Sequence, residues 1–177
     1  DDVQNFVGDL REVGISTISW ESVETAATLD DTETGWADSE LMYTWFKENA
    51  ETYNLDTSNV FIGGRSRGSG MSWKLAHSLD PNIKGIYMFQ ALPDGFWEFP
   101  DTWQPELDVT AGSPPLKFTY QPEPGTTTDI HDPENGEIII NRYNSLGIGS
   151  KAELVHSLDK GSDLYEDIVE WCLQHLD

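Results

Sequence analysis

Asn59-Val60-Phe61-Ile62-Gly63-Gly64-Arg65-Ser66-Arg67-Gly68-Ser69 is the stretch on which the reading of this chain turns. Asn59 to Ile62 reads as a short buried strand, and Ser69 to Leu79 reads as a helix. Between them stands Gly64-Arg65-Ser66-Arg67-Gly68, a Gly-x-Ser-x-Gly at a strand-to-helix junction. Such a turn is tight enough to demand glycine beside the serine, and it holds the hydroxyl out at the edge of a sheet. Five residues alone match by chance. The strand before and the helix after give the match its weight.

Working outward, strands and helices alternate. Val3, Phe6, Val7 and Leu10 recur at helical spacing, with Gly14 as a stop. Ile15 to Trp20 alternates apolar residues with Ser and Thr and reads as a strand. A polar, acidic loop from Glu21 to Gly35 then leads to a helix whose expected apolar face is Trp36, Leu41, Trp45, Phe46 and Tyr53. Met71, Leu75 and Ala76 give the helix after Ser66 its inward face. Ile83 to Phe89 and Leu116 to Tyr120 are further strands, followed by a helix from Asn135 to Leu146. Lys151 to Leu158 is the last strand, and Leu164, Ile168, Val169, Cys172 and Leu176 mark an amphipathic final helix. This order predicts an α/β fold, a mostly parallel sheet with helices on both faces. Ligands in such sheets bind beyond the carboxyl ends of the strands, the edge on which Ser66 would lie.

The segment 91–115 breaks the rhythm. Pro93, Pro100, Pro105, Pro114 and Pro115 share it with Phe96, Trp97, Phe99 and Trp103. It is too long for an ordinary connection. It reads either as a cap whose aromatics, Trp97 among them, line a substrate pocket, or as an irregular loop anchored by its own rings.

With 177 residues the chain is expected to form one domain around a single core. No apolar run approaches the roughly 20 residues that cross a bilayer, and no signal segment opens the sequence. The lone cysteine, Cys172, lies in an apolar helical pattern and reads as a buried small hydrophobe. Thirty-two acidic residues against ten basic ones give a formal net charge of -22. Nucleic acid and anionic membranes are therefore poor partners. An acidic surface spread along the whole chain suits a secreted or salt-exposed protein. No Cys/His spacing suggests zinc and no glycine-rich phosphate loop appears, so neither metal nor cofactor is expected. Asp132-Pro133-Glu134-Asn135-Gly136-Glu137-Ile138 resembles a calcium loop only superficially. Aligning Gly136 with the invariant glycine puts His131 and Arg142 at ligand positions that neither can fill.

The Val60 to Gly68 motif, the Pro115 to Tyr120 strand and the closing Tyr165 to Leu176 helix together resemble the α/β-hydrolase superfamily. The match is to small esterases of the carboxylesterase, dienelactone hydrolase and polyhydroxybutyrate-depolymerase-like branches. The resemblance implies Ser66 as nucleophile and the Arg67 backbone N–H as an oxyanion donor. It places an acid just past the Tyr120 strand and a histidine between the last strand and the last helix. Asp129 and Asp132 are the candidate acids. Asp129 is preferred because Asp132, before Pro133, reads as a helix cap.

For the base, the expected turn holds Lys160-Gly161-Ser162-Asp163, with Ser162 where a histidine belongs. His156, in the last strand, is the first substitute and His131, near the acid loop, the second. His77 and His175 read as surface residues. A histidine suits the task because its pKa lies near neutrality, and a carboxylate fixes its tautomer. The superfamily also has strands ahead of the first helix. Their absence here implies a fragment, a reduced sheet, or strands supplied by another chain.

Arg65 and Arg67, two of only four arginines, flank Ser66. They read as a clamp for an anionic substrate, or as side chains paired with nearby acids to pin the turn. Two functions follow as expectations. One is a serine hydrolase acting on small-molecule or polymeric carboxylic esters. The other is a protein of the same fold that has lost catalysis and serves as a binding or structural module.

Overall fold

The computed structural model describes residues 2–22, 29–78, 83–91, 104–125, 131–156 and 162–176. Their elements run α1 (Asp2–Glu12), α2 (Leu29–Tyr53), β1 (Val60–Arg65), α3 (Arg67–Ser78), β2 (Ile83–Phe89), β3 (Leu116–Thr119), α4 (Glu134–Ser145), β4 (Ala152–Val155) and α5 (Ser162–Gln174). The four strands form one sheet in the order β1-β2-β3-β4, every neighbouring pair parallel. The expected α/β architecture is present.

Alternation along β2 separates two apolar clusters. Ile86 and Met88 face a cluster with Tyr43 and Phe46 of α2, Trp73, Leu75 and Ala76 of α3, and Ile139 and Tyr143 of α4. Tyr87 and Phe89 face the opposite way, onto Leu164, Trp171 and Cys172 of α5. Helices therefore cover both faces of the sheet, as a parallel sheet with apolar residues on each side requires. Two glycines allow the close packing. A side chain at Gly85 would collide with the Trp171 ring, and one at Gly136 would come within 2.9 Å of Leu154 and the Tyr120 hydroxyl. Gly136 is thus a helix-to-sheet contact within α4. Gly14 ends α1 as expected, at φ +86°, with Ile15 N–H donating to Leu10 O at 2.8 Å.

Ile15 to Trp20 forms no strand. Its side chains do alternate, Ile15 packing with the α5 cluster and Ile18 and Trp20 with the other. The period-two pattern reports which faces of the core are covered, and no ladder is needed for that. α2 begins at Leu29, inside the stretch expected to be loop. Its inward face is also different. Leu41, Trp45 and Tyr53 are 68%, 44% and 58% exposed, whereas Thr32, Ser39, Tyr43, Phe46 and Ala50 are buried. Small residues point inward because α2 lies tightly on α3: a Cβ at Gly35 would stand 2.8 Å from the Met71 sulfur. The Ser39 hydroxyl is satisfied within the helix by Gly35 O at 2.8 Å.

Residues 92–103, with Trp97, lie outside the described residues. The remainder of that segment is held by side chains of other elements. Trp73 Nε1 donates to Pro105 O at 3.2 Å, the Tyr143 hydroxyl to Pro114 O at 2.9 Å, and Lys151 Nζ to Ser113 O at 3.2 Å. Cys172 is buried, and desolvation pushes its thiol up to about 12.

Candidate active site

β1 ends at Arg65, opposite Phe89 of β2. The Ser66 N–H donates to Phe89 O at 3.1 Å, so the ladder runs one residue past the strand before the chain reverses. Ser66 makes the reversal with φ at 49°, in the left-handed region that L-residues enter at a cost of about 1–2 kcal/mol. The next residue begins α3. Ser69 N–H and Ser69 Oγ both donate to Ser66 O, at 2.9 and 2.5 Å, and Ser72 Oγ ties the helix back to Gly63 O at 2.7 Å. These bonds close a sharp strand-to-helix bend around one hydroxyl.

The two glycines of the motif are not equivalent. A Cβ at Gly64 would stand 2.5 Å from Gly68 O and 2.8 Å from the Ser69 Cα. A Cβ at Gly68 would meet nothing within 4 Å. Only the first glycine is demanded by space.

Opposite the hydroxyl stands an imidazole. His131 Nε2 lies 2.9 Å from Ser66 Oγ. With Nε2 unprotonated the ring accepts the serine proton, the geometry required of a general base. His131 occupies the turn before α4, in the loop where the sequence reading put the acid. His156 lies elsewhere. It follows β4, at the far edge of the sheet from β1, and its Nδ1 pairs with Glu123 Oε2 at 2.7 Å. Both side chains of that pair are well exposed, 41% and 53%. The structure thus brings His131 to Ser66, and it does not bring His156.

Asp129 lies outside the described residues. Asp132 caps α4: its carboxylate accepts from Glu134 N–H at 2.9 Å and Gly125 N–H at 3.1 Å. His77 is not a surface residue. Its ring stacks on Trp73 with centroids 4.2 Å apart, and desolvation pushes its pKa down. His175 Nδ1 lies 2.8 Å from Trp171 O, one helical turn back. Arg65 and Arg67 are both exposed beside Ser66, the Arg65 guanidinium 5.7 Å from the centre of the Phe89 ring. Among the described residues no group of three His, Cys, Asp or Glu side chains is placed to hold a metal ion. None of their helices is long and apolar enough to cross a membrane.

One neighbour of the site went unread in the sequence. Gln90, the residue after β2, also turns through the left-handed region, with φ at 51°. A glutamine after a strand carries no signal of such a turn, because glycine and asparagine are the residues that advertise it.

No family model matches the chain, and a search of curated proteins finds no relative. Solved structures do match. The carboxylesterase Cest-2923 from Lactobacillus plantarum WCFS1 superposes with a TM-score of 0.59 at 14% identity, over 98% of this chain and 76% of that one. MGS-M1, an alpha/beta hydrolase enzyme from a Medee basin deep-sea metagenome library, gives 0.57 at 15% identity, over 86% of this chain and 67% of its own. The fold is that of the α/β-hydrolases. The α/β-hydrolase pattern calls for the histidine after the last strand. Here the imidazole on Ser66 comes from one loop earlier, after β3.

Proposed function

We propose that the protein is a serine hydrolase of carboxylic esters, with Ser66 as nucleophile and His131 as its base. The observation that carries this reading is the Ser66 Oγ to His131 Nε2 contact of 2.9 Å at a left-handed bend. In the forward step Oγ attacks the acyl carbon as its proton passes to His131 Nε2. The tetrahedral intermediate then collapses, and His131 returns the proton to the departing alcohol. Water deacylates the enzyme by the same route in reverse.

Developing negative charge on the carbonyl oxygen needs donors. The Arg67 N–H is one, since it opens α3 and has no acceptor within the helix, and the helix dipole adds positive potential there. Arg65 and Arg67 add two full positive charges to the same rim of a protein of net charge -22.

The test is labelling with a fluorophosphonate probe, followed by turnover of short nitrophenyl esters. Labelling is expected at Ser66 and is expected to vanish in Ser66→Ala. His131→Ala should slow it severely, whereas His156→Ala should leave it intact. An unlabelled wild-type protein that also fails to turn over esters would return the chain to the second expectation, a binding module on a hydrolase fold.

A further inference from the structure

Two neighbouring strand ends of the site share a peculiarity. Arg65 of β1 and Phe89 of β2 are register partners, and the residue after each turns left-handed: Ser66 at φ 49° and Gln90 at φ 51°. The Ser66 bend presents a hydroxyl. The Gln90 bend presents an amide, and that amide is spent inward. Gln90 is only 7% exposed. Its Oε1 accepts the Gln121 N–H and its Nε2 donates to Gln121 Oε1, each at 3.3 Å. Its own N–H donates to Thr119 O at 2.9 Å.

Glycine or asparagine would hold this backbone conformation more cheaply than glutamine. Neither has a side chain long enough to make the same bridge. The bridge closes on Gln121, where the chain leaves β3 to enter the loop that ends at His131. We propose that Gln90 is a positioning residue for the reaction: its amide clamps the exit of β3 and so holds His131 Nε2 on Ser66 Oγ. This inference rests on the hydrolase reading above for its kinetic consequence, though not for the clamp itself.

The informative variant is Gln90→Gly. It removes the bridge and relieves the left-handed strain, so the thermal midpoint should change little. A misplaced base costs rate steeply, and a displacement near 1 Å is worth about 100-fold. We therefore expect kcat to fall at least about 10-fold with KM within about 2-fold. Gln90→Glu keeps the acceptor for the Gln121 N–H and should recover part of the loss. Gln90→Gly and Gln121→Ala should be non-additive in kcat, since both open one bridge.

The second readout needs no activity: the His131 ring signals in histidine-selective NMR, which should shift or broaden in Gln90→Gly while those of His156 stay put. Unchanged kcat together with an unchanged His131 signal overturns the proposal. A rise in KM alone also overturns it, since Gln90 would then be touching substrate. If the wild-type protein is inert yet the His131 signal moves in Gln90→Gly, the clamp stands and the hydrolase reading falls.

Discussion

The two ends of the sheet are built on opposite terms. At the carboxyl end, Ser66 and Gln90 sit in left-handed backbone conformations, and a loop-borne histidine is held against a hydroxyl. At the amino end left-handed backbone falls to residues that adopt it cheaply, Asn54 at φ 53° before β1 and Gly147 at φ 74° before β4, and the connections bond largely within themselves. Asp56 accepts from Ser58 and Asn59, Thr110 N–H donates to Ser113 Oγ, and the Tyr143 hydroxyl holds Pro114 O. The sheet itself is the same on both sides of the divide, so the contrast lies in its connections. Strain collected at one edge, and supported by a well-bonded other edge, is how a fold keeps a reactive group in an unfavourable pose.

The largest effect expected from this contrast is chemical. His131→Ala should lower kcat/KM for a short nitrophenyl ester by about 10³- to 10⁴-fold, as loss of a general base does. His156→Ala, beyond the opposite outer strand and paired with Glu123, should change it less than about 3-fold. A large loss from His156→Ala with little from His131→Ala would invert the assignment of the two imidazoles.

The next effect lies between the edges, on the α5 face of the sheet. Lys117 of β3 is buried, with Nζ 2.7 Å from Asp167 Oδ1 and 3.5 Å from Glu153 Oε2. The Tyr87 hydroxyl donates to the other Asp167 oxygen at 2.5 Å, and burial together with that carboxylate pushes the tyrosine pKa up. Asp167→Ala strips a buried ammonium of its main partner and leaves a buried hydroxyl without an acceptor. Urea unfolding should show a loss of about 3–5 kcal/mol. Lys117→Met combined with Asp167→Leu should restore most of it. A single-variant loss under about 1 kcal/mol would mean that α5 is held by its apolar face alone.

A third test separates the two glycines. Gly64→Ala forces a methyl onto the Gly68 carbonyl and should cost about 1–3 kcal/mol and distort the serine bend. Gly68→Ala adds a methyl in open space within a helix and should be neutral or stabilising by up to about 1 kcal/mol. Equal losses from both would show that the motif is used as a unit.

How much of this was visible beforehand depends on what kind of fact each residue carries. The alternation of strands and helices, the Ser66 bend and the Asp132 cap are local, written in periodicity and turn chemistry within a few residues. The inward face of α2 does not follow from apolar character. Close packing of that helix on α3 instead favours Thr32 and Ser39 within and leaves Trp45 outside. The histidine that stands beside Ser66 is hidden from the sequence for a longer-range reason. Which histidine reaches Ser66 depends on the path of the chain between Gln121 and His131, and no spacing rule encodes a path. The available signal was position: His131 shares the loop after β3 with the candidate acids, and that loop leaves β3 at its carboxyl end.

The smallest predicted effect belongs to the relaxed edge and is a matter of pH. Asp56, in the turn before β1, accepts hydrogen bonds from the Ser58 hydroxyl, the Ser58 N–H and the Asn59 amide, and these lower its pKa from 3.8 to about 2. The folded state therefore prefers the ionised carboxylate. Its contribution is complete above the unfolded value of 3.8 and is lost as pH falls through about 2. Asp56→Asn keeps the shape without the charge. The stability gap between wild type and variant should be constant above pH 4, narrow between about pH 4 and 2, and close below that. Comparing the two proteins at each pH cancels the protonation of the other carboxylates. A gap that stayed constant down to the lowest pH would assign the turn's stability to shape alone, and the amino end of the sheet would then owe nothing to charge.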